Sequence, residues 1–225
     1  MCGRITLAVN PQELAEFFFI VRGLESIPDW TPRYNIAPTS QMICIRQTGA
    51  VREVFSARWG LIPRWAMDKK EGSRAFNARA ETLDSRKMFR FAFQRQRCIV
   101  IASGFYEWEV FGLENKVPHY ITLRSGEPMA MAGLWETWQP PSGGWIESCT
   151  IVTTDANPFM MRLHDRMPVI LPRPLIKFWL DPQNKTPEKL KPIFAQYPAD
   201  ELQEWPVAKS VGDVRNQGER LIEPI

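Results

Sequence analysis

The sequence predicts an α+β fold built mainly from antiparallel sheets. Three observations carry this. Short apolar or alternating runs of strand length recur along the chain, bounded by Gly, Pro, Asn and Ser. Few segments show the 3.6-residue apolar period of a helix. The strands follow one another instead of alternating with helices, which excludes a βαβ architecture. The 225 residues are 44% hydrophobic and 24% charged, enough to bury a core without disulfide or metal staples. No repeat or low-complexity linker divides the chain, so residues 1–225 read as one compact domain.

The elements follow in order. Asn10 caps a first helix, Pro11 suits its first position and Glu13 closes a capping box, with Leu14, Phe17, Phe18 and Val21 as its apolar face. Residues 30–38 read as a loop, because two prolines punctuate them. Strands are expected at 41–46 and 51–59, with a turn at Gly49. An irregular loop carrying Trp65 covers 60–73, and a helix with Met88, Phe89, Phe91, Ala92 and Phe93 covers 87–95. Strands then occupy 97–103 and 105–110. Residues 118–124 and 128–138 read as a hairpin joined at Ser125-Gly126, and 145–154 as a further strand. A short helix is expected over 155–164, surface helices over 175–180 and 187–194, and final strands at 207–211 and 220–222.

Several functional classes are excluded at this stage. No apolar run approaches the ~18 residues of a membrane span, and the first residues lack the apolar stretch of a secretory signal. A soluble, cytoplasmic protein is expected. Four cysteines with no CxxC spacing, and only two histidines (His119 and His164), make neither a disulfide framework nor a usual zinc site. No metal and no cofactor are expected. The net charge of +3 says little, but its distribution says more. From Arg58 to Arg97 there are eleven basic and four acidic residues, a local excess of +7. That segment is either a solvated basic face or an electrostatic track for phosphates.

Cys2 stands apart from the other thiols, since removal of Met1 makes it the N-terminus. It is then a 1,2-aminothiol, with an amine of pKa about 7.7–8.0 beside a thiol of pKa about 8.5. The amine forms a Schiff base with an aldehyde, and the thiol closes onto it as a five-membered thiazolidine. Having both nucleophiles on one residue makes the second step intramolecular. Three other places hold candidate chemistry. Residues 74–82 combine Asn77, Arg74, Arg79 and Glu81 with small residues. Residues 104–108 set Glu107 among aromatics, where a carboxyl acquires a raised pKa suited to proton transfer. Residues 163–168 hold His164 beside Asp165 and Arg166. Singly, each has a structural account: a turn amide, a rim carboxylate and a helix-end histidine.

Together they are specific. Met1-Cys2-Gly3-Arg4, Tyr34-Asn35-Ile36-Ala37-Pro38, Trp59-Gly60-Leu61-Ile62-Pro63, Phe76-Asn77-Ala78-Arg79-Ala80-Glu81-Thr82, Gly104-Phe105-Tyr106-Glu107-Trp108, Leu163-His164-Asp165-Arg166-Met167-Pro168 and Val214-Arg215-Asn216-Gln217-Gly218 occur in this order across the chain. The set resembles the SRAP family of abasic-site processing proteins. The resemblance implies a compact α+β arrangement of antiparallel sheets in a barrel-like form with peripheral helices. It also implies a monomer that binds single-stranded DNA containing abasic sites, on the nucleoid, and forms a thiazolidine crosslink through Cys2. Peptidase-like self-removal of Met1 has been attached to the family as well.

Carried over residue by residue, the resemblance makes Cys2 the nucleophile. Asn77 positions the cysteine backbone or the sugar oxygen, Glu107 shuttles protons, and His164 acts as acid on the sugar ring oxygen. Arg4, Arg79 and Arg166 hold flanking phosphates, Trp65 and Met88 pack against splayed bases, and Asn35, Pro38 and Thr153 line the pocket for the baseless sugar. One departure is visible: the family often has two adjacent tryptophans where this chain has Arg64-Trp65. Two other readings stay open: an N-terminal-nucleophile hydrolase, and a non-covalent nucleic-acid module using only the basic segment and its aromatics.

Overall fold

The structure, a computed structural model, describes every residue except Met1, Pro28, Asp29, Leu113 and Glu114, and the backbone alone of Ser26. The expected loss of Met1 therefore concerns a residue outside the described set. In chain order the elements are β1 (Ile5–Leu7), α1 (Pro11–Phe18), β2 (Ile20–Arg22), β3 (Arg33–Ile36), β4 (Gln41–Thr48), β5 (Val51–Trp59), β6 (Asn77–Arg79) and α2 (Lys87–Arg95). They continue with β7 (Arg97–Ala102), β8 (Gly104–Phe111), β9 (Asn115–Leu123), β10 (Met129–Trp138), β11 (Ile146–Asp155), β12 (Arg166–Pro168), α3 (Arg173–Leu180), α4 (Pro187–Leu190) and β13 (Leu202–Pro206). Asn10 caps α1 as its residue type predicts, its Oδ1 accepting the Glu13 N–H at 2.9 Å.

The strands form two sheets. The smaller runs β13-β9-β8-β1-β3, and the larger follows the path β12-β11-β10-β7-β4-β5-β2, with β6 attached to β11. A parallel pairing of β5 with β11 (Ser148 opposite Arg58) closes five strands of the larger sheet into a ring. The expected barrel-like form is thus a ring, with β2, β6 and β12 outside the closed circuit. Two of the ring strands are buried on both faces and read as nearly unbroken apolar runs. All six residues of β7 are buried, as are the first six of β10.

This burial corrects the expected hairpin between residues 118–124 and 128–138. Both strands exist, but β9 pairs with β8 and β13, while β10 pairs with β7 and β11. The doubly apolar β10 belongs inside the ring, so the chain changes sheets at Ser125-Gly126. It changes sheets again between β7 and β8 at Ser103-Gly104. There a Cβ on Gly104 would lie 2.4 Å from the Tyr120 hydroxyl and 2.6 Å from the Ile121 carbonyl, so only glycine fits.

Arg97 is the charged exception in β7. Its guanidinium donates to the carbonyls of Phe93 (2.8 Å), Gln94 (3.2 Å), Trp179 (2.7 Å) and Asp181 (2.5 Å), tying the ends of α2 and α3 to the ring. Burial pulls its pKa down to about 10. Indole N–H groups pin the irregular segments: Trp59 to the Phe76 carbonyl (2.8 Å), Trp138 to Ala66 (2.8 Å) and Trp205 to Ile222 (2.7 Å).

Other segments differ from expectation. Residues 30–38 contain β3. Residues 158–163 form turns instead of a helix, because Asn157 Oδ1 takes the Met160 N–H (2.9 Å) and Arg166 re-enters the sheet. Residues 209–212 and 219–222 are 3₁₀ turns, and the final strand is β13, five residues earlier than expected.

Two of the sequence motifs explain each other. Asn35, 3% exposed, donates to the carbonyls of Val211 (3.2 Å), Asp213 (2.9 Å) and Asn216 (3.0 Å) and accepts from Arg4 (2.6 Å). Gln217 returns the contact, its Nε2 donating to the Asn35 carbonyl at 3.0 Å and its Oε1 accepting the Tyr34 N–H at 3.1 Å. The closing motif is therefore a strap over β3. Asn35→Ala removes four hydrogen bonds of one buried amide and is expected to cost about 1–3 kcal/mol in urea unfolding.

Candidate active site

Four segments meet between the two sheets. The N-terminal segment runs beside β8, with the Tyr106 N–H donating to the Arg4 carbonyl at 2.9 Å and Ile5 opposite Phe105. This carries Cys2 to Glu107. The side chains of β8 alternate, so Tyr106 packs into the outer aromatic cluster while Phe105 and Glu107 face the larger sheet. From that sheet, β6 lies parallel to β11 with Asn77 opposite Ile151. The turn between β11 and β12 brings His164.

Cys2 is fully buried. Asn77 Nδ2 donates to its carbonyl at 2.7 Å, fixing the residue's backbone. Burial pushes the Cys2 thiol up, and the charge of Glu107 adds to the effect. Glu107 is 4% exposed, and burial raises its carboxyl above the usual carboxylate range. Its carboxylate accepts the Trp108 backbone N–H and also senses the charge of Asp165, which places the His164-Asp165 pair within its field.

His164 is partly buried, and burial lowers its pKa. Its Nδ1 accepts the Arg166 backbone N–H at 2.9 Å and lies 2.7 Å from Asp165 Oδ1; the Arg166 contact is the one aligned as a hydrogen bond. With Nδ1 used as acceptor, the neutral ring carries its proton on Nε2. Beside this site, Asn77 Oδ1 and Thr153 Oγ1 are buried without hydrogen-bond partners among the described residues. Such groups normally find a partner, so they mark room for a polar ligand.

The structure thus gathers Cys2, Asn77, Glu107 and His164. It distributes the other expected residues differently. Arg166 is buried, gripping both carboxylate oxygens of Glu81 (2.9 and 3.0 Å), the Thr153 carbonyl (2.7 Å) and Asp155. Arg4 donates to Asn35 and, at 2.5 Å, to the Val211 carbonyl, and lies 5.8 Å above the Trp108 ring. Both guanidiniums are therefore turned toward protein acceptors, whereas Arg79 is exposed. Asn35 is engaged by the C-terminal strap, Pro38 is half-buried, and Thr153 is fully buried opposite Arg79.

A cleft of about 410 Å³ opens from Asn77 outward, lined by Arg74, Arg79, Arg86, Glu71, Met88 and Phe89 among others. Trp65 is 43% exposed, with the Lys87 ammonium 4.5 Å from its ring centre. Arg64 lies 3.4 Å over the Phe91 ring and pairs with Glu136 at 2.8 Å. It extends the aromatic surface of α2. Among the described residues no cluster of His, Cys, Asp and Glu is arranged to hold a metal ion, and no helix is long and apolar enough to cross a membrane.

Sequence reasoning missed a second polar cluster on β8. His119 sits directly across from Glu107, with Glu109, Glu204 and Arg162 around it. The signal available was that His119 is one of only two histidines in the chain.

Comparisons with known proteins show the family and the fold. The profile described as SOS response associated peptidase (SRAP) matches residues 1–214. Abasic site processing protein YoqW of Bacillus subtilis (strain 168) is 40% identical over 223 residues, covering 99% of each chain. Abasic site processing protein YedK of Escherichia coli (strain K12) is 31% identical over 231 residues, covering all of both. A crystal structure of a Bacteroides thetaiotaomicron protein superposes over the whole of both chains with a TM-score of 0.89 at 22% identity, a likeness of fold.

Proposed function

The chain belongs to the SRAP family, and from that premise we propose that it captures abasic sites in single-stranded DNA through Cys2, as a covalent thiazolidine. The observation that carries this reading is the placement of Cys2: fully buried, its carbonyl held by Asn77 at 2.7 Å, beside a carboxyl of raised pKa. Relatives named as abasic site processing proteins support it.

The chemistry follows from the groups present. While Met1 is attached, the Cys2 nitrogen is an amide and cannot attack. Once Met1 has left, the free amine adds to the C1′ aldehyde of the ring-opened deoxyribose, and loss of one water leaves a C=N bond. Sγ then attacks that carbon. An S–C bond forms, the π pair of C=N moves to nitrogen, and the thiol proton ends on that nitrogen. Burial keeps the thiol protonated, so this step needs a nearby base to relay its proton, and Glu107 fills that role. The Nε2–H of neutral His164 donates to the sugar ring oxygen as the ring opens. Asn77 holds the Cys2 backbone so that both nucleophiles address one carbon.

A protonated, buried thiol is poorly suited to the hydrolase reading, which needs a thiolate to attack an unactivated amide. An iminium carbon is far more electrophilic and accepts sulfur with base assistance. Stoichiometry separates the two: capture stops at one equivalent of DNA, whereas hydrolysis turns over.

Flanking phosphates fall to the exposed arginines of the cleft, Arg74, Arg79 and Arg86, and bases stack on Trp65 and Met88. Arg4 and Arg166 act through the residues they hold. Replacing Arg74, Arg79 and Arg86 singly by glutamine is expected to weaken strand binding and to reduce the slope of log K against log salt by about 0.7 each, as measured by fluorescence anisotropy.

The decisive experiment is intact-mass measurement of the protein lacking Met1 after exposure to a single strand with one abasic site. The expected product has the summed mass of protein and DNA less one water and survives denaturation. An unmodified protein overturns the proposal.

A further inference from the structure

We infer that Arg162, His119, Glu109 and Glu204 form a clamp that fixes His164 against Glu107, making these four positioning residues for the proposed capture reaction. The inference rests on the reading above but concerns residues it does not use.

The clamp is built from four separate segments of the chain. Glu109 lies on β8, two residues beyond Glu107. His119 lies on β9, directly opposite Glu107, and Glu204 lies on β13, opposite Ile121. In antiparallel pairs, opposed residues point to the same face, so Glu107, Glu109, His119 and Glu204 share the face turned toward the larger sheet. His119 is 7% exposed and stands between the two carboxylates. Its Nδ1 bonds Glu204 Oε2, and its Nε2 lies 3.2 Å from Glu109 Oε2.

Arg162 closes the clamp from the other sheet. It occupies the turn after β11, two residues before His164. Its Nη1 reaches Glu109 at 3.2 Å and its Nη2 reaches Glu204. One guanidinium therefore grips two carboxylates that His119 holds in place from beneath. The turn itself has little else to fix its exposed side: Met161, Arg162 and Asp165 all face solvent. The clamp therefore supplies a cross-sheet tie at the point where the acid and base must meet. Arg162 is 41% exposed, so as a surface ion pair alone it would contribute little to stability. Its consequence is geometric, and an angstrom of misplacement at a reacting group costs up to about a hundredfold in rate.

The test uses the full chain lacking Met1. It measures the single-turnover capture rate at saturating abasic DNA, and separately the affinity for a strand carrying tetrahydrofuran, an unreactive abasic analogue. Arg162→Ala is expected to slow saturated capture by roughly ten- to a hundredfold, with unchanged affinity for the tetrahydrofuran strand. Arg162→Lys recovers most of the rate, because an ammonium can still meet both carboxylates. His119→Gln slows capture in the same way. If Arg162→Ala leaves the saturated rate unchanged, or lowers affinity while sparing that rate, the clamp is overturned and Arg162 is a bystander or a DNA contact. Cys2→Ala run alongside separates the two ideas. An adduct that persists in Cys2→Ala sinks the capture reading, whereas its loss there with a normal Arg162→Ala rate sinks only the clamp.

Discussion

Cys2→Ala abolishes the denaturation-resistant adduct while leaving affinity for an abasic strand in place. This is the largest single effect expected of any substitution in the chain, because one residue supplies both bonds to the lesion. Cys2→Ser dissects the two steps. Serine keeps the amine, so the Schiff base forms and borohydride reduction traps it. The hydroxyl closes a ring poorly, so without reductant the adduct decays by hydrolysis. Intact-mass spectra taken with and without borohydride distinguish these outcomes. An equally stable unreduced adduct from the serine variant would remove sulfur from the mechanism.

Glu107→Gln is expected to slow capture by about 10²–10⁴, the usual range for losing a positioned proton shuttle, with DNA affinity retained. The same substitution is expected to stabilise the protein at neutral pH. Burial raises the folded-state pKa of Glu107 above its unfolded value. The native state then binds the proton more tightly than the unfolded chain. This contribution to stability is complete below the unfolded pKa and is lost as pH rises through the folded one. At neutral pH the carboxyl is a burden on the fold that glutamine removes. Thermal unfolding of both proteins across acid to neutral pH checks this: the gain from glutamine should grow with pH. A variant that is both slower and less stable would contradict the assignment of Glu107 as a buried shuttle.

Much of the site was legible in the sequence because its residues sit in contiguous motifs with distinctive chemistry. Cys2 stands out by position, Glu107 by its aromatic neighbours, and His164 by rarity. The long strands were legible too, since β4, β5, β7, β10 and β11 carry apolar runs of their own. The three-residue β6 was not, because a segment that short has no period; its strand character comes from β11 alongside it. The partnership of β9 and β10 was misread, since a short turn suggests a hairpin whichever sheet each strand finally joins. Arg166 and Arg4 were expected to hold phosphates because the family resemblance implies it. The acceptors that engage them, Glu81, Asp155, Asn35 and Val211, lie far away in sequence. Likewise the clamp joins residues from 109 to 204, a distance no local pattern spans.

The division of the chain between two sheets leaves Cys2 and Glu107 on one side of a seam, and Asn77 and His164 on the other. In the proposed capture, a damaged strand bonded to Cys2 and cradled by the opposite bank would act as a suture across that seam. A protease clearing such a conjugate must first prise the two layers apart, so the captured form should resist digestion longer than the empty protein. The lesion's shelter would then last as long as the stitched layers stay closed.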